Sequence, residues 1–257
     1  MRIVSVHPDV LVATSRVWQT SCTIVRSGDE AFVIDSPVYP DELEVLPAVL
    51  EQAQFPFSGL LVTHADWDHL LGRLAFPRAA VGCAETTAAR LAAEPGAAAR
   101  GLREFDAEHY VRRPGPLSLG DVEALPVPGR LDVGERELEL HPADGHTADG
   151  MAVWVPWARV LVCGDYLSPV EIPMLSEGGS RSAYLATLAR LEPLVEQAVA
   201  VVPGHGEALD GARALAILRE DRAYLEALPD ARLPLARGGP VQERVHARNV
   251  ERARAAA

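Results

Sequence analysis

The sequence predicts an α+β protein in which two strand-and-helix halves follow one another. In the first half, residues 22–26 and 31–35 have the pattern of a β-hairpin. A helix with leucines at helical spacing follows, and the apolar run at residues 59–62 indicates a buried strand. In the second half, another helix precedes a second buried strand at residues 200–202. Residues that can bind a metal ion follow strands of both halves, where α/β sheets commonly place their chemistry.

The other elements complete the two halves in chain order. Asp41 is predicted to cap the first helix, and Pro95 and Gly96 to interrupt a longer helical stretch. Residues 114–128, rich in proline and glycine, are predicted to form a loop that lies over a pocket and determines substrate specificity. Further strands are predicted at residues 2–7, 11–14, 81–84, 137–141, 151–155 and 159–162, and further helices at residues 86–110, 188–198, 215–228 and 241–255.

Length and composition favour a single domain with a large core. The chain has 257 residues, of which 48% are hydrophobic and 23% are charged, as in ordinary soluble globular proteins. We predict that residues 1–228 form the domain, and that residues 229–257 form a linker and a C-terminal helix packed on the same domain. The arginine-rich C-terminal helix could equally cover a second copy of the chain in a homodimer.

The charged residues exclude several classes of function. The net charge of −12 disfavours a nucleic-acid partner, because binding to phosphates needs clustered basic residues. All 24 basic residues are arginines. Without lysine, the chain can form neither a Schiff base nor a P-loop. We therefore expect a small-molecule substrate.

The cysteines and the hydropathy pattern predict a cytoplasmic location. Cys22, Cys83 and Cys163 are isolated in apolar surroundings, which indicates buried free thiols in a reducing compartment. No stretch of the sequence has the length of apolar residues needed to cross a bilayer, and the first residues lack the features of a secretion signal. We expect no membrane partner.

The densest group of chemically active residues lies at residues 63–72. Two histidines and two carboxylates, His64, Asp66, Asp68 and His69, fall within six positions. In an extended segment, residues i and i+2 share a face, so the first three can converge, and a bend can bring in His69. Imidazole and carboxylate groups together suit zinc, iron and other divalent metals. The alternative interpretation is a solvated loop with an aspartate that starts a helix.

Four more residues of the same kind end predicted strands or lie just after them. Asp35, His146, Asp165 and His205 each lie beside a glycine or a turn. Taken in order with the cluster at residues 64–69, they resemble the five motifs of the metallo-β-lactamase superfamily. Any one of these motifs is weak, but the ordered series is specific and spans approximately residues 22–206.

The resemblance implies a four-layer αββα sandwich with a dinuclear metal site at one edge of its two packed sheets. It also implies that Asp35 supports the cluster through hydrogen bonds and does not bind metal. Seven residues are implied as metal ligands: His64, Asp66 and His146 for the first ion, Asp68, His69 and His205 for the second, and Asp165 as the bridge between them.

Asp66 departs from the pattern of the superfamily, which commonly has histidine at this position. A third carboxylate lowers the charge of the cluster and hardens the first site, which favours iron or manganese over zinc. A similar replacement is found in the flavodiiron oxygen and nitric oxide reductases, but this chain lacks the sequence of their flavodoxin-like domain. The expected cofactors are two divalent metal ions, with zinc as the first choice and iron or manganese as alternatives because of Asp66.

The activity implied by the resemblance is hydrolysis of a small ester, thioester, lactone or phosphoester by a metal-bound hydroxide. Asp68 would orient the attacking water or accept its proton in addition to binding metal. Tyr166, His109 and Tyr110 are candidates to hydrogen-bond the substrate, although ordinary packing or a surface position is the favoured explanation for each of them. The alternative function on the same fold, suggested by Asp66, is a di-iron redox enzyme that reduces oxygen or nitric oxide.

Overall fold

The apolar alternation in the first half of the chain produces a seven-stranded sheet. The structure, a computed structural model, describes residues 1–255, so the last two residues of the predicted segment 229–257 lie outside the described residues. Neighbouring strands are antiparallel from the first to the fourth and parallel from the fourth to the seventh. The strands lie side by side in chain order: β1 (Arg2–His7), β2 (Val10–Thr14), β3 (Ser21–Ser27), β4 (Glu30–Asp35), β5 (Phe57–Leu61), β6 (Val81–Ala84) and β7 (Val122–Leu125).

The second half of the chain produces a five-stranded sheet. Its strands are β8 (Gly129–Val133), β9 (Arg136–Pro142), β10 (Met151–Val155), β11 (Val160–Val162) and β12 (Ala200–Val202). They are arranged in the order β12-β11-β10-β9-β8, with β11 and β12 parallel and the other neighbours antiparallel. The carboxyl end of β12 therefore lies beside that of β11. A predicted metal ligand follows each of these two strands, Asp165 after β11 and His205 after β12.

The predicted helices are all present, although the helix predicted at residues 188–198 begins earlier, at Arg181, and the short helix Gly72–Ala75 was not predicted. The predicted helix at residues 86–110 is divided as expected, because Gly96 adopts a left-handed conformation with φ of 76° between its two parts. The helices are α1 (Pro40–Ala53), α2 (Gly72–Ala75), α3 (Glu85–Ala93), α4 (Ala97–Glu108), α5 (Arg181–Gln197), α6 (Gly211–Ala227) and α7 (Pro240–Ala255).

Three hydrophobic layers hold the two sheets and the helices together. Ile34 and Leu61 of the first sheet pack against Leu140 and Met151 of the second, which places the two sheets face to face. On the outer side of the first sheet, leucines of α1 pack against β3 and β4. On the outer side of the second sheet, apolar residues of α5, α6 and α7 pack against β10, β11 and β12. The predicted four-layer αββα sandwich is confirmed.

Two local predictions were wrong. Asp41 does not cap α1, which begins after Tyr39 with Pro40 in its first position. The buried Glu42 carboxylate instead accepts the Tyr39 backbone N–H at 3.2 Å. The segment 114–128 is not a loop throughout, since residues 122–125 form β7, which pairs with β6 at the edge of the first sheet, and none of the segment lines the cavity beside the predicted metal ligands. An edge strand of four partly exposed residues leaves little periodicity in the sequence.

The C-terminal helix packs on the outer side of the second sheet through Val245 and Ala253. Its polar residues also fix the loop that follows β11. The Gln242 side chain accepts the Ile172 N–H at 3.0 Å, and the Asn249 side chain accepts the Leu175 N–H at 3.0 Å. None of the helices within residues 1–255 combines the length and the apolar character needed to cross a membrane.

Candidate metal centre

The carboxyl ends of β4, β5, β11 and β12 meet at one edge of the two sheets. The segment after β5 leaves the sheet in an extended conformation, and a short 3-10 turn at Trp67–His69 then provides the predicted bend. The loops after β9 and β11 bring in His146 and Asp165, and the loop after β12 brings in His205. The seven predicted ligands therefore converge from four different loops.

Donor atoms of these seven residues form three overlapping groups, in each of which the atoms lie within 4.8 Å of one another. Asp165 lies between the two histidine pairs. Its Oδ2 atom is 3.6 Å from His64 Nε2 and 3.3 Å from His146 Nε2. Its Oδ1 atom is 3.2 Å from His69 Nε2 and 3.4 Å from His205 Nε2. The three groups are His64, Asp66 and His146; Asp68, His69 and His205; and His64, His69 and Asp165.

Three of the histidines have a hydrogen-bond acceptor next to Nδ1, on the side of the ring that faces away from the cluster. His69 Nδ1 lies 3.0 Å from Asp35 Oδ2, His146 Nδ1 lies 2.8 Å from the Met174 carbonyl, and His205 Nδ1 lies 3.2 Å from the Trp18 carbonyl. Because Nδ1–H donates outward in each of these rings, the Nε2 lone pair is directed into the cluster. This is the tautomer that a metal-binding histidine needs.

If these residues bind metal ions, some of their buried polar atoms should have no hydrogen-bond partner within the protein. Nine buried side-chain nitrogen or oxygen atoms of the described residues make no hydrogen bond, and three of them lie together in this cluster: His64 Nε2, His69 Nε2 and Asp165 Oδ1. His69 Nε2 and Asp165 Oδ1 are 3.2 Å apart but lack hydrogen-bond geometry. Such atoms are costly to leave unsatisfied, and all three belong to the predicted ligands. The donor set therefore fits divalent metal ions bound through imidazole and carboxylate.

Asp35 occupies the supporting position that the sequence predicted for it. Its backbone has φ of 58°, which turns the side chain back toward the cluster. Its Oδ1 accepts the Thr63 N–H at 2.8 Å, and its Oδ2 accepts the Thr63 hydroxyl at 2.9 Å and faces His69 Nδ1. One carboxylate thus fixes both the start of the loop after β5 and the orientation of a histidine.

Replacing Asp35 by asparagine should weaken metal binding without removing any ligand. The amide retains one acceptor for Thr63 but loses the negative charge opposite His69, so we expect metal affinity to fall by about 10- to 100-fold. Titration of chelator-treated protein with Zn²⁺ measures this change. Asp29→Asn, in the exposed turn between β3 and β4, is the matched control. Equal affinities for the two variants would contradict the supporting role of Asp35.

Opposite charges in the cluster shift the pKa values of its histidines and aspartates. Burial lowers the pKa of His146, but the hydrogen bond to Asp66 and the charge of Asp165 outweigh burial and raise that pKa to about 9. Burial likewise opposes the raised pKa of His205, which Asp165 and Glu171 bring to about 10. Burial alone would raise the pKa of Asp66, yet its contacts with His146 and His64 lower it well below the usual value. Without metal, protons are therefore held at the positions where metal ions would bind.

Metal-free protein should lose stability as the pH rises from neutral to alkaline. The folded-state pKa values of His146 and His205 lie above the unfolded value of about 6.5, so their stabilising contribution is complete below that pH. It disappears as the pH rises through about 9 to 10, and the loss should be on the order of 3 to 5 kcal/mol for each histidine. Urea unfolding in the presence of chelator at pH 6.5 and pH 10 measures it. Metal-loaded protein is the control, and an equal loss with metal bound would contradict this origin.

The cluster opens into a cavity of about 670 Å³. Asp66, Asp68 and His205 lie at its base, and α3, α4 and the first turn of α7 form its walls. Two residues that the sequence analysis missed, Arg90 and Glu171, also line it. Neither belongs to a recognisable motif, since Arg90 is one arginine of an alanine-rich helix and Glu171 lies in a loop without periodicity.

The three predicted substrate-contacting residues occupy different environments. His109, at the end of α4, lines the cavity. Tyr110 is 93% exposed and is not among the lining residues. Tyr166 is buried, and its hydroxyl accepts the His146 N–H and donates to the carbonyl of Asp144 at 2.8 Å. The last two predictions were wrong about position, because Tyr110 points to solvent and Tyr166 fixes the backbone of the loop that carries His146.

Comparison with known proteins gives one family and several similar structures. A family model described as the metallo-beta-lactamase superfamily matches residues 15–205. The hydroxyacylglutathione hydrolase of Rhodobacter capsulatus is 29% identical over 179 residues, which are 69% of this chain and 57% of that protein. The chain thus spans little more than half the length of that relative.

The similar solved structures share the fold at low sequence identity. A metallo-beta-lactamase family protein from Thermus thermophilus superposes with a TM-score of 0.67 at 18% identity, covering 87% of this chain and 81% of that one. DIM-1 metallo-beta-lactamase gives 0.62 at 20% identity, covering 88% and 96% of the two chains. A metallo-beta-lactamase from Pontibacter korlensis gives 0.60 at 22% identity, covering 85% and 98%.

Proposed function

Because the chain belongs to the metallo-beta-lactamase superfamily, we propose that it is a metal-dependent hydrolase of a small thioester or ester. The observation that carries the proposal is the convergence of four histidine Nε2 atoms on the two oxygens of Asp165, with buried atoms that have no other partner among the described residues. A donor set with this arrangement suits two cations that share one carboxylate.

Two divalent ions, with zinc as the first candidate, are the cofactors we propose. His64, Asp66 and His146 would hold one ion, and Asp68, His69 and His205 the other, with one oxygen of Asp165 directed to each group. When bound, such ions would supply Lewis acidity toward a carbonyl oxygen and would lower the pKa of a water molecule toward about 7.

Asp68 is the residue that we propose for proton transfer. Its Oδ2 atom lies 3.4 Å from His205 Nε2, and its side chain also borders the cavity. A carboxylate in this position can orient a water molecule and accept its proton as the water attacks. A second carboxyl group, that of Glu171, lines the same cavity, but burial and the nearby carboxylates of Asp165 and Asp68 raise its pKa.

One residue of the cavity wall, Arg244, can bind a substrate carboxylate, although Glu94 and Glu108 line the same cavity. Among the described residues, Arg244 makes no ion pair, and it lines the cavity from the first turn of α7. A glutathione thioester combines a thioester carbonyl with carboxylates at its far ends. The similarity to a hydroxyacylglutathione hydrolase supports this class as the first to test.

Steady-state assays on purified protein test the proposed function. Hydrolysis of a hydroxyacylglutathione thioester should proceed with kcat/KM on the order of 10⁴ M⁻¹s⁻¹ or higher, and dialysis against chelator should remove it until Zn²⁺ is restored. Arg244→Gln should raise KM more than it lowers kcat, whereas Arg213→Gln, at an exposed position of α6, should change neither. Protein that binds less than one metal ion per chain, or that leaves thioesters, esters, lactones and phosphoesters intact, contradicts the proposal.

A cytoplasmic location is also part of the proposal. Cys22, Cys83 and Cys163 are all buried and free, which suits a reducing compartment. Cell fractionation with antibody detection checks it, and recovery of the protein outside the cytoplasm would contradict it. The predicted homodimer is a separate question for light scattering.

A further inference from the structure

Arg90 on α3 joins the loops of the two sheets directly beside the cluster. One guanidinium nitrogen donates to Asp66 Oδ1 at 2.9 Å, and another donates to Asp149 Oδ1 at 2.8 Å. Asp149 is 1% exposed, and its second oxygen accepts the Ala65 N–H at 2.9 Å. Arg90 therefore fixes the backbone of the loop after β5 through Asp149 and the side chain of Asp66 by direct contact.

The two carboxylate oxygens of Asp66 have different partners. While Oδ1 faces Arg90, Oδ2 lies 3.6 Å from His64 Nε2 and 3.3 Å from His146 Nε2. Arg90 has three-quarters of its side chain buried, so solvent screens its interaction with Asp66 only in part. One oxygen is presented to the cluster in a fixed orientation, and the charge of the carboxylate is offset from behind.

We propose that Arg90 is a positioning residue which, together with Asp66, replaces the histidine that superfamily members commonly have at this position. Arg90 shares its charge between Asp66 and Asp149, so it offsets part of the charge of Asp66 and brings this position closer to a neutral imidazole than Asp66 alone would. The first site then retains the preference of a histidine site for zinc, which differs from the shift toward iron or manganese expected from Asp66 alone. The inference rests on the proposed function, because it concerns the first of the two proposed metal ions.

A double-mutant cycle on chelator-treated protein tests the pairing, because it measures metal affinity independently of any substrate. Each protein competes with a chromophoric chelator for added Zn²⁺ or Mn²⁺. The binding step that is absent in the His146→Ala variant is assigned to the first site. Asp66→His alone leaves Arg90 beside a neutral ring and a dication, so zinc affinity at this site should fall by about tenfold. Adding Arg90→Gln restores the original net charge and should bring the affinity back to within about threefold of the wild type.

Arg90→Gln is expected to restore metal binding in the Asp66→His background, but it should impair metal selectivity when Asp66 is present. Arg90→Gln alone leaves both Asp66 and the buried Asp149 without their shared cation, and the preference for zinc over manganese at the first site should fall by about tenfold. Arg90→Lys retains the charge and should hold that preference within about threefold. Circular dichroism and melting of the metal-free variants establish that each is folded. If Arg90→Gln alone does not fold, the comparison of Asp66→His with and without Arg90→Gln carries the test, and no recovery of zinc affinity in the double variant would overturn the proposal.

The outcomes separate this inference from the proposed function. If the wild type binds two ions but Arg90→Gln changes zinc affinity by the same factor in the native background and in the Asp66→His background, the two residues act independently and the pairing is wrong. The proposal would also be wrong if Arg90→Lys lowered the preference for zinc over manganese as much as Arg90→Gln does. If the wild type binds no metal at either step, the proposed function fails, and the inference fails with it.

Discussion

Replacing Asp165 by alanine is expected to reduce bound metal to less than one ion per chain and to lower kcat/KM by about 10³-fold or more. The reason is the position of its two oxygens, one directed to His64 and His146 and the other to His69 and His205. Without the carboxylate, four imidazoles converge with no anion between them, and both proposed ions lose a ligand. Metal analysis and thioester kinetics on the same preparation measure the two effects.

A matched variant shows whether the effect is specific to this carboxylate. Asp132 lies on β8, exposed and distant from the cavity, so Asp132→Ala should leave both metal content and kinetics unchanged. The metal-free Asp165→Ala protein should remain folded. Full metal content in Asp165→Ala would contradict a bridging role, even if activity were reduced.

Replacing Arg237 by methionine is expected to destabilise the protein by about 3 to 5 kcal/mol at pH 8. The side chains of Arg237 and Asp221 are 0% and 1% exposed, and Arg237 Nη1 lies 2.5 Å from Asp221 Oδ1. The same guanidinium donates to the Glu171 carbonyl at 2.9 Å. The substitution therefore leaves a buried carboxylate without its cation and releases the loop that lines the cavity.

The effect of Arg237→Met should depend on pH in a defined direction. Burial raises the pKa of Asp221 to about 7, although the neighbouring Arg237 opposes that change. Because this folded-state pKa lies above the unfolded value, the protein loses stability as the pH rises through the interval between them. The cost of losing Arg237 should accordingly be smaller at pH 6, where Asp221 can take up a proton, than at pH 8.

Urea unfolding curves of three proteins measure this prediction. Arg237→Met should be the least stable, and adding Asp221→Leu should recover at least half of the loss because no charge is then buried. Arg213→Met, at an exposed position of α6, controls for the substitution itself. A change of about 1 kcal/mol or less in Arg237→Met would show that the buried ion pair contributes little.

Local patterns in the sequence predicted the helices, most strands and the convergence of the four residues within the segment 64–69, and the resemblance to a known family added His146, Asp165 and His205. The apolar spacing of α1 and α5 depends only on neighbours within a few turns, so it is visible in the sequence alone. The resemblance to a known family supplied the sandwich and the association of His64 with His146 and His205. The buried and free state of the three cysteines was also predicted correctly.

Residues whose partners are far away in the chain could not be predicted. Arg90 contacts carboxylates 24 and 59 positions away, and Arg237 pairs with Asp221 across the turn to α7. No periodicity marks such contacts, because they depend on how helices are placed over the sheets. The strand β7 was missed for a related reason, since an edge strand buries too little surface to impose a regular pattern.

The division of the predicted ligands between the two sheets has a mechanical consequence. Each proposed ion takes two ligands from the loop after β5, which belongs to the first sheet, and two from loops of the second sheet, an oxygen of Asp165 and either His146 or His205. An ion bound in this way is a non-covalent cross-link between the two halves of the sandwich. Neither half can then open without breaking coordination, so metal binding couples their unfolding into one cooperative step, whereas the metal-free halves are joined only by packing and hydrogen bonds.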